Sequence, residues 1–154
     1  MRKMSASVPV AAPRKFVLAS IESRFLERAA GKAAPEVALH VELPAIAGGM
    51  TVEKKATAEV RFQRDKGSPH TIEIAWTPQD TLILPRFEGA FTATETGAES
   101  CRLELAGTYL PPGGVIGIVV DALAGRRVAR TTLETLLATM GTEIESDYRA
   151  RMMQ

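Results

Sequence analysis

Few side chains in this sequence are of the types that do chemistry near neutral pH. There are two histidines, His40 and His70, and a single cysteine, Cys101. Neither histidine has a metal-ligand partner at a recognisable spacing, and no Gly-x-Ser-x-Gly, His-Glu-x-x-His or paired-cysteine motif is present. Nucleophile-and-base catalysis would need Cys101 or a serine to meet a histidine in space, which no local pattern here provides. Cys101 falls on the apolar side of an alternating run, where a thiol acts as a small hydrophobe.

Three other groupings carry charge or turn chemistry. Pro111-Pro112-Gly113-Gly114-Val115-Ile116-Gly117 sets a glycine-rich turn before an apolar helical stretch. Exposed amides there would suit an anion. The spacing is not Gly-x-Gly-x-x-Gly, however, and no Lys-Ser/Thr follows, so a hinge that lays a helix on a sheet is the better reading. Asp121 with Arg126, Arg127 and Arg130 forms the densest charge cluster, read as a solvated helix face or partner contact ahead of an anion site. Lys54 interrupts an apolar strand face, and Arg86 and Glu88 flank Phe87 after a bend at Pro85. Lys54 is either a lysine reaching water near a strand end or the polar anchor of a cavity.

The elements that would position these residues follow from periodicity. Residues 1–13, with Ser5, Ser7, Pro9 and Pro13, read as a flexible terminus rather than a signal peptide. Val17, Leu18, Ile21, Phe25 and Ala29 share a helical face that stops at Gly31, although a strand followed by a short helix fits the same residues. Val37, Leu39, Val41 and Leu43 alternate as a strand. Further alternation occurs in Thr51–Gln63, through Ile72, Ile74 and Trp76, through Phe87, Gly89, Phe91 and Ala93, and from Cys101 to Tyr109. Short turns between these runs imply antiparallel neighbours with one apolar face. A long helical stripe through Val120, Leu123, Leu133, Leu137, Met140 and Ile144 would cover that face. A helix from Gly114 to Arg149 would measure about 54 Å. It must bend at Gly125 or Gly141, or project its end past the sheet.

The predicted fold is therefore α+β: a curved antiparallel sheet packed on a long C-terminal helix, with an N-terminal helix. Residues 14–149 form one domain and 150–154 a tail. The chain has 154 residues, 45% of them hydrophobic, and a net charge of +1. That balance gives no concentrated basic surface for nucleic acid. No apolar run approaches the roughly 20 residues of a membrane span. A lone cysteine asks for no oxidising compartment, so a cytoplasmic protein without cofactor or metal is expected.

The closing strand Cys101–Tyr109, the Pro111-Pro112-Gly113-Gly114 turn, Gly117, Asp121 and the helix through Leu137 together resemble the START-like, helix-grip (SRPBCC-type) superfamily. That group includes polyketide cyclases, coenzyme Q carriers and plant ligand-binding allergens. The Trp76, Pro85, Phe87, Gly89 segment resembles a bacterial branch of it. The resemblance covers roughly residues 50–145 and implies an apolar pocket between sheet and helix, but carries over no catalytic residue. The N-terminal third departs from the pattern of a strand followed by two short helices. The walls of such a pocket would be Ala58, Val60, Ile74, Trp76, Phe91, Leu103 and Tyr109 from the sheet and Val119, Leu123 and Leu133 from the helix. Lys54 and Arg86 would add polar groups. Small residues at Ala56, Ala58, Gly89 and Gly107 either leave room for a ligand or let the helix approach the sheet. The expected function is binding of a small apolar or amphipathic molecule. The alternatives are a filled core whose C-terminal helix docks on a partner or second copy, and a cyclase- or hydrolase-type enzyme using Tyr109, Arg86 and Glu88.

Overall fold

A computed structural model describes residues 2–29, 36–42, 51–65, 68–78, 86–110 and 122–153. Its elements are β1 (Arg2–Val10), α1 (Arg14–Ala29), β2 (Glu36–Glu42), β3 (Thr51–Asp65), β4 (Ser68–Pro78), β5 (Arg86–Gly97), β6 (Ser100–Leu110) and α2 (Ala122–Met152). The strands form one antiparallel sheet in the order β1-β6-β5-β4-β3-β2. The α+β architecture read from the sequence is thus the observed one.

The expectation of a flexible N-terminus is overturned. Arg2–Val10 is an edge strand paired along its length with β6, from Arg2 opposite Tyr109 to Val10 opposite Cys101. Met4, Ala6 and Val10 are buried, whereas Lys3, Ser5, Ser7 and Pro9 are exposed, which is the alternation of a half-buried strand. Pro9 is tolerated because an edge strand can leave an amide position unpaired. The opening strand of the superfamily pattern is therefore present.

α1 is a helix because its apolar residues recur on one side: Val17, Leu18, Ile21 and Phe25 are all buried. It lies over the middle strands β4 and β5. α2 packs on β6 and on both edge strands, β1 and β2. With neighbouring strands about 4.8 Å apart, the edges of a flat sheet of this width would lie roughly 24 Å from each other. One helix meeting both edges while another covers the middle requires the sheet to curl around the pair.

α2 runs unbroken from Ala122 to Met152, about 46 Å. Its buried stripe is Ala129, Thr132, Leu133, Leu136, Leu137, Met140, Gly141 and Ile144. Gly141 faces β1, where an added Cβ would lie 3.5 Å from a Val10 methyl and 3.6 Å from a Val8 methyl, an ordinary packing distance. Polar ties fix the ends of this assembly. The Ala11 amide donates to Glu145 of α2 at 2.8 Å, and Arg14 Nε donates to the Ala93 carbonyl at 2.7 Å. Arg24 of α1 pairs with both Glu143 and Asp147 of α2. The Pro111–Gly117 turn, Asp121, Val119 and the helix start expected at Gly114 lie outside the described residues.

Candidate functional site

Backbone register arranges the sheet's inner side chains in rows that cross several strands. One row is aromatic: Trp76 of β4 stands opposite Phe87 of β5, which stands opposite Tyr109 of β6. The next row is Ile74, Gly89, Gly107 and Met4, and the one beyond is Phe62, Ile72, Phe91, Leu105 and Ala6. All three members of the aromatic row are at most 2% exposed. Trp76 and Phe87 are stacked, with ring centroids 4.6 Å apart and planes 26° from parallel. Such contacts add to the burial energy of the rings themselves.

The two glycines of the adjoining row neither open a space for a guest nor admit the helix. A Cβ on Gly89 would lie 2.4 Å from the Ala106 carbonyl oxygen of β6 and 2.6 Å from the tip of the Phe87 ring, which folds back over that position. A Cβ on Gly107 would lie 2.0 Å from the Glu88 carbonyl oxygen, so β5 and β6 approach too closely for any side chain there. Phe87 is thus a principal side chain of this region. It escaped the sequence-based choice of pocket walls, although its alternation with Gly89 and Phe91 carried the signal.

Tyr109 closes the row. Its side chain is fully buried, and its hydroxyl has no hydrogen-bond partner among the described residues. Leaving such a group unsatisfied costs roughly 1–3 kcal/mol. The other buried side-chain atom without a partner among the described residues is His70 Nδ1, near the start of β4 beside the register shift between Gln63 and Arg64. It lies at the opposite end of the strands, about six residues or roughly 20 Å from the aromatic row.

Of the expected wall residues, Ile74, Trp76, Phe91, Leu103, Tyr109 and Leu133 are buried together in one core, and Val60 is half-buried against it. Phe91 meets Phe25 of α1 at a centroid distance of 6.2 Å. For Lys54, Ala58, Arg86 and Leu123 the structure describes the backbone only: Lys54 pairs with Leu39, Ala58 with Trp76 and Arg86 with Leu110, and Leu123 falls in the first turn of α2. Val119 lies outside the described residues. Cys101 is buried beside Val10, and burial pushes its thiol above the ordinary value while the nearby Arg14 cation pulls partly the other way. That environment suits a packed thiol rather than a nucleophile.

The grouping of Tyr109 with Glu88 as pocket acid and base is corrected by the register. Glu88 is exposed, one residue out of phase with Phe87, and so lies on the sheet's outer face. There it borders an open groove of about 510 Å³ with Arg61, Glu73, Ala75, Ala90 and Ala106. Arg127 and Arg130 of the expected charge cluster are exposed on α2. Among the described residues no three His, Cys, Asp or Glu side chains gather as metal ligands, and no helix is long and apolar enough to cross a membrane.

No protein-family model matches the chain, and no curated protein matches it in sequence. Solved structures do match in shape. The Zhui aromatase/cyclase from a Streptomyces species superposes with a TM-score of 0.55 at 16% identity, over 98% of this chain and 95% of that one. The protein TTHA0849 from Thermus thermophilus gives 0.59 at 18% identity, over 95% and 99%. A START superfamily protein from Mycobacterium smegmatis gives 0.50 at 16% identity, over 96% and 97%. At these identities the likeness is one of fold, and the fold is the START-like helix grip.

Proposed function

We propose that this chain binds a small apolar or amphipathic molecule between the aromatic row of its sheet and its C-terminal helix. The observation that carries this reading is the Tyr109 hydroxyl, buried without a partner among the described residues beside the stacked rings of Trp76 and Phe87. A guest with an apolar body and one hydrogen-bonding oxygen would remove the cost of that orphaned group while burying its own apolar surface. The shape relatives support the reading, since one is described as an aromatase/cyclase and another as a START superfamily protein. The reading is binding rather than catalysis, because Glu88 lies across the sheet from Tyr109 and the buried Cys101 is held as a thiol.

The chain's single tryptophan belongs to the aromatic row, so its fluorescence reports on the site. Native mass spectrometry on protein purified from its own host is expected to retain an apolar molecule. Titration with anilinonaphthalene sulfonate is expected to quench Trp76 saturably. Tyr109→Phe is expected to leave folding stability unchanged or slightly raised, and to weaken binding of the retained molecule by about ten-fold, the worth of one hydrogen bond. A chain that carries no molecule and shows no saturable quenching sinks the reading.

A further inference from the structure

We infer that the Phe87 ring is a lid on the site proposed above: in the empty chain it lies in the guest's seat, and it swings up from the sheet when a guest arrives. This rests on the binding reading and adds a moving part to it. The seat is the Gly89–Gly107 pair, where facing glycines on β5 and β6 leave bare backbone on the inner face of the sheet. Ile74 of β4 and Met4 of β1 bound it on either side in the same row. A Cβ at Gly89 would run into the Ala106 carbonyl oxygen, and one at Gly107 into that of Glu88, so neither position can carry a side chain of its own. Such a floor is covered by a ring borrowed from a neighbouring row, or by a guest.

In this structure a ring covers it. Phe87 leans along β5 so far that its Cζ and Cε1 lie 2.6 and 2.7 Å from the Cβ position of Gly89. With the ring down, the glycine pair offers no space. What holds the ring down differs from what holds its neighbour on the same face. Phe91 meets Phe25 of α1 at 6.2 Å, so a helix lies over it. Among the described residues the ring partner of Phe87 is Trp76, beside it in the sheet. Trp76–Phe87 is also the last pair of the β4–β5 ladder, which puts Phe87 at the end of the paired region and not in its middle.

Strand residues commonly adopt χ1 near either 180° or −60°, so a turn about one bond takes the ring off the glycines. That turn uncovers the backbone floor and frees one face of the Trp76 ring. A guest with an apolar face takes over both contacts, so the swing exchanges one apolar surface for another instead of exposing the core. Tyr109, whose hydroxyl has no partner among the described residues, stands opposite Phe87 on β6, two residues from Gly107. A lid that competes with the guest weakens the measured affinity by the fraction of chains in which it is open.

Nuclear magnetic resonance on the full chain, with anilinonaphthalene sulfonate as the probe, tests this. In the empty protein the Phe87 ring protons should show strong Overhauser contacts to the Gly89 α-protons. Saturating probe should abolish these and replace them with contacts from the probe to Gly89. Phe87→Ala removes the lid and should lower the Kd of the probe roughly ten-fold, with cooperative thermal unfolding by circular dichroism as the check on its fold. The wild-type spectra need no variant, so they decide the matter even where Phe87→Ala does not fold. A probe that binds while the Phe87–Gly89 contacts persist overturns the lid and leaves the binding reading standing. So does a folded Phe87→Ala chain that binds no more tightly. Absence of saturable binding to either chain removes the binding reading, and the lid with it.

Discussion

Where β5 turns into β6, the inner face of the sheet is closed by ties between elements; the far end of the same strands carries the aromatic row. At the first end Arg14 reaches the Ala93 carbonyl, Glu145 holds the Ala11 amide, and the Tyr148 hydroxyl donates to Glu99 at 3.0 Å. At the second end Trp76 and Phe87 stack beside Tyr109, whose hydroxyl has no hydrogen-bond partner among the described residues. Hydrogen bonds and ion pairs fix how the helices sit on the sheet. The aromatic end offers burial and one polar atom without a partner among the described residues, and the proposed binding reading rests on that difference.

The contrast can be broken most forcefully at Gly107. Replacing it with alanine puts a methyl group into the Glu88 backbone, which cannot rotate away, so the strands must part beside the aromatic row. A loss of about 3 kcal/mol or more is expected in urea unfolding, together with a change in Trp76 fluorescence. A smaller effect is expected where the helices are tied. Arg24→Ala removes two partly exposed ion pairs and should cost about 0.5–1 kcal/mol, shrinking as salt is added. A loss independent of salt would mean that the aliphatic stem of Arg24, not its charge, holds α1 to α2. The smallest change is a gain. Gly141→Ala meets Val10 and Val8 at packing distance and removes a helix-interior glycine, so it should stabilise the chain by about 0.5–1 kcal/mol. Destabilisation there would show that α2 lies nearer to β1 than the structure has it.

The sheet's inner rows were legible because alternation fixes which side chains share a face. Ile74, Trp76, Phe91, Leu103 and Tyr109 follow from counting by twos. The same counting placed Glu88 outside, since Phe87 is inside, and grouping it with Tyr109 overlooked that parity. β1 was legible too: Met4, Ala6, Val8 and Val10 alternate, but the exposed serines and Pro9 between them read as a loose terminus until an edge position explained them. The orphaned Tyr109 hydroxyl had no sequence signal, because its partners, or their absence, come from elements far along the chain. The Gly89–Gly107 pairing was equally hidden. Each glycine alone is ambiguous, and only register shows that both accommodate the backbone of the neighbouring strand, Gly89 the Phe87 ring as well.

The pairing of β1 with β6 also bears on how the chain comes to fold. Its partners are about a hundred residues apart, so the first strand has no sheet to join until nearly all the others have formed. Until then Met4, Ala6, Val8 and Val10 are an apolar strand with an unpaired edge, and β6 offers an edge of its own. Folding is therefore expected to end with a slow long-range closure, and the interval before it is when this protein is most open to aggregation.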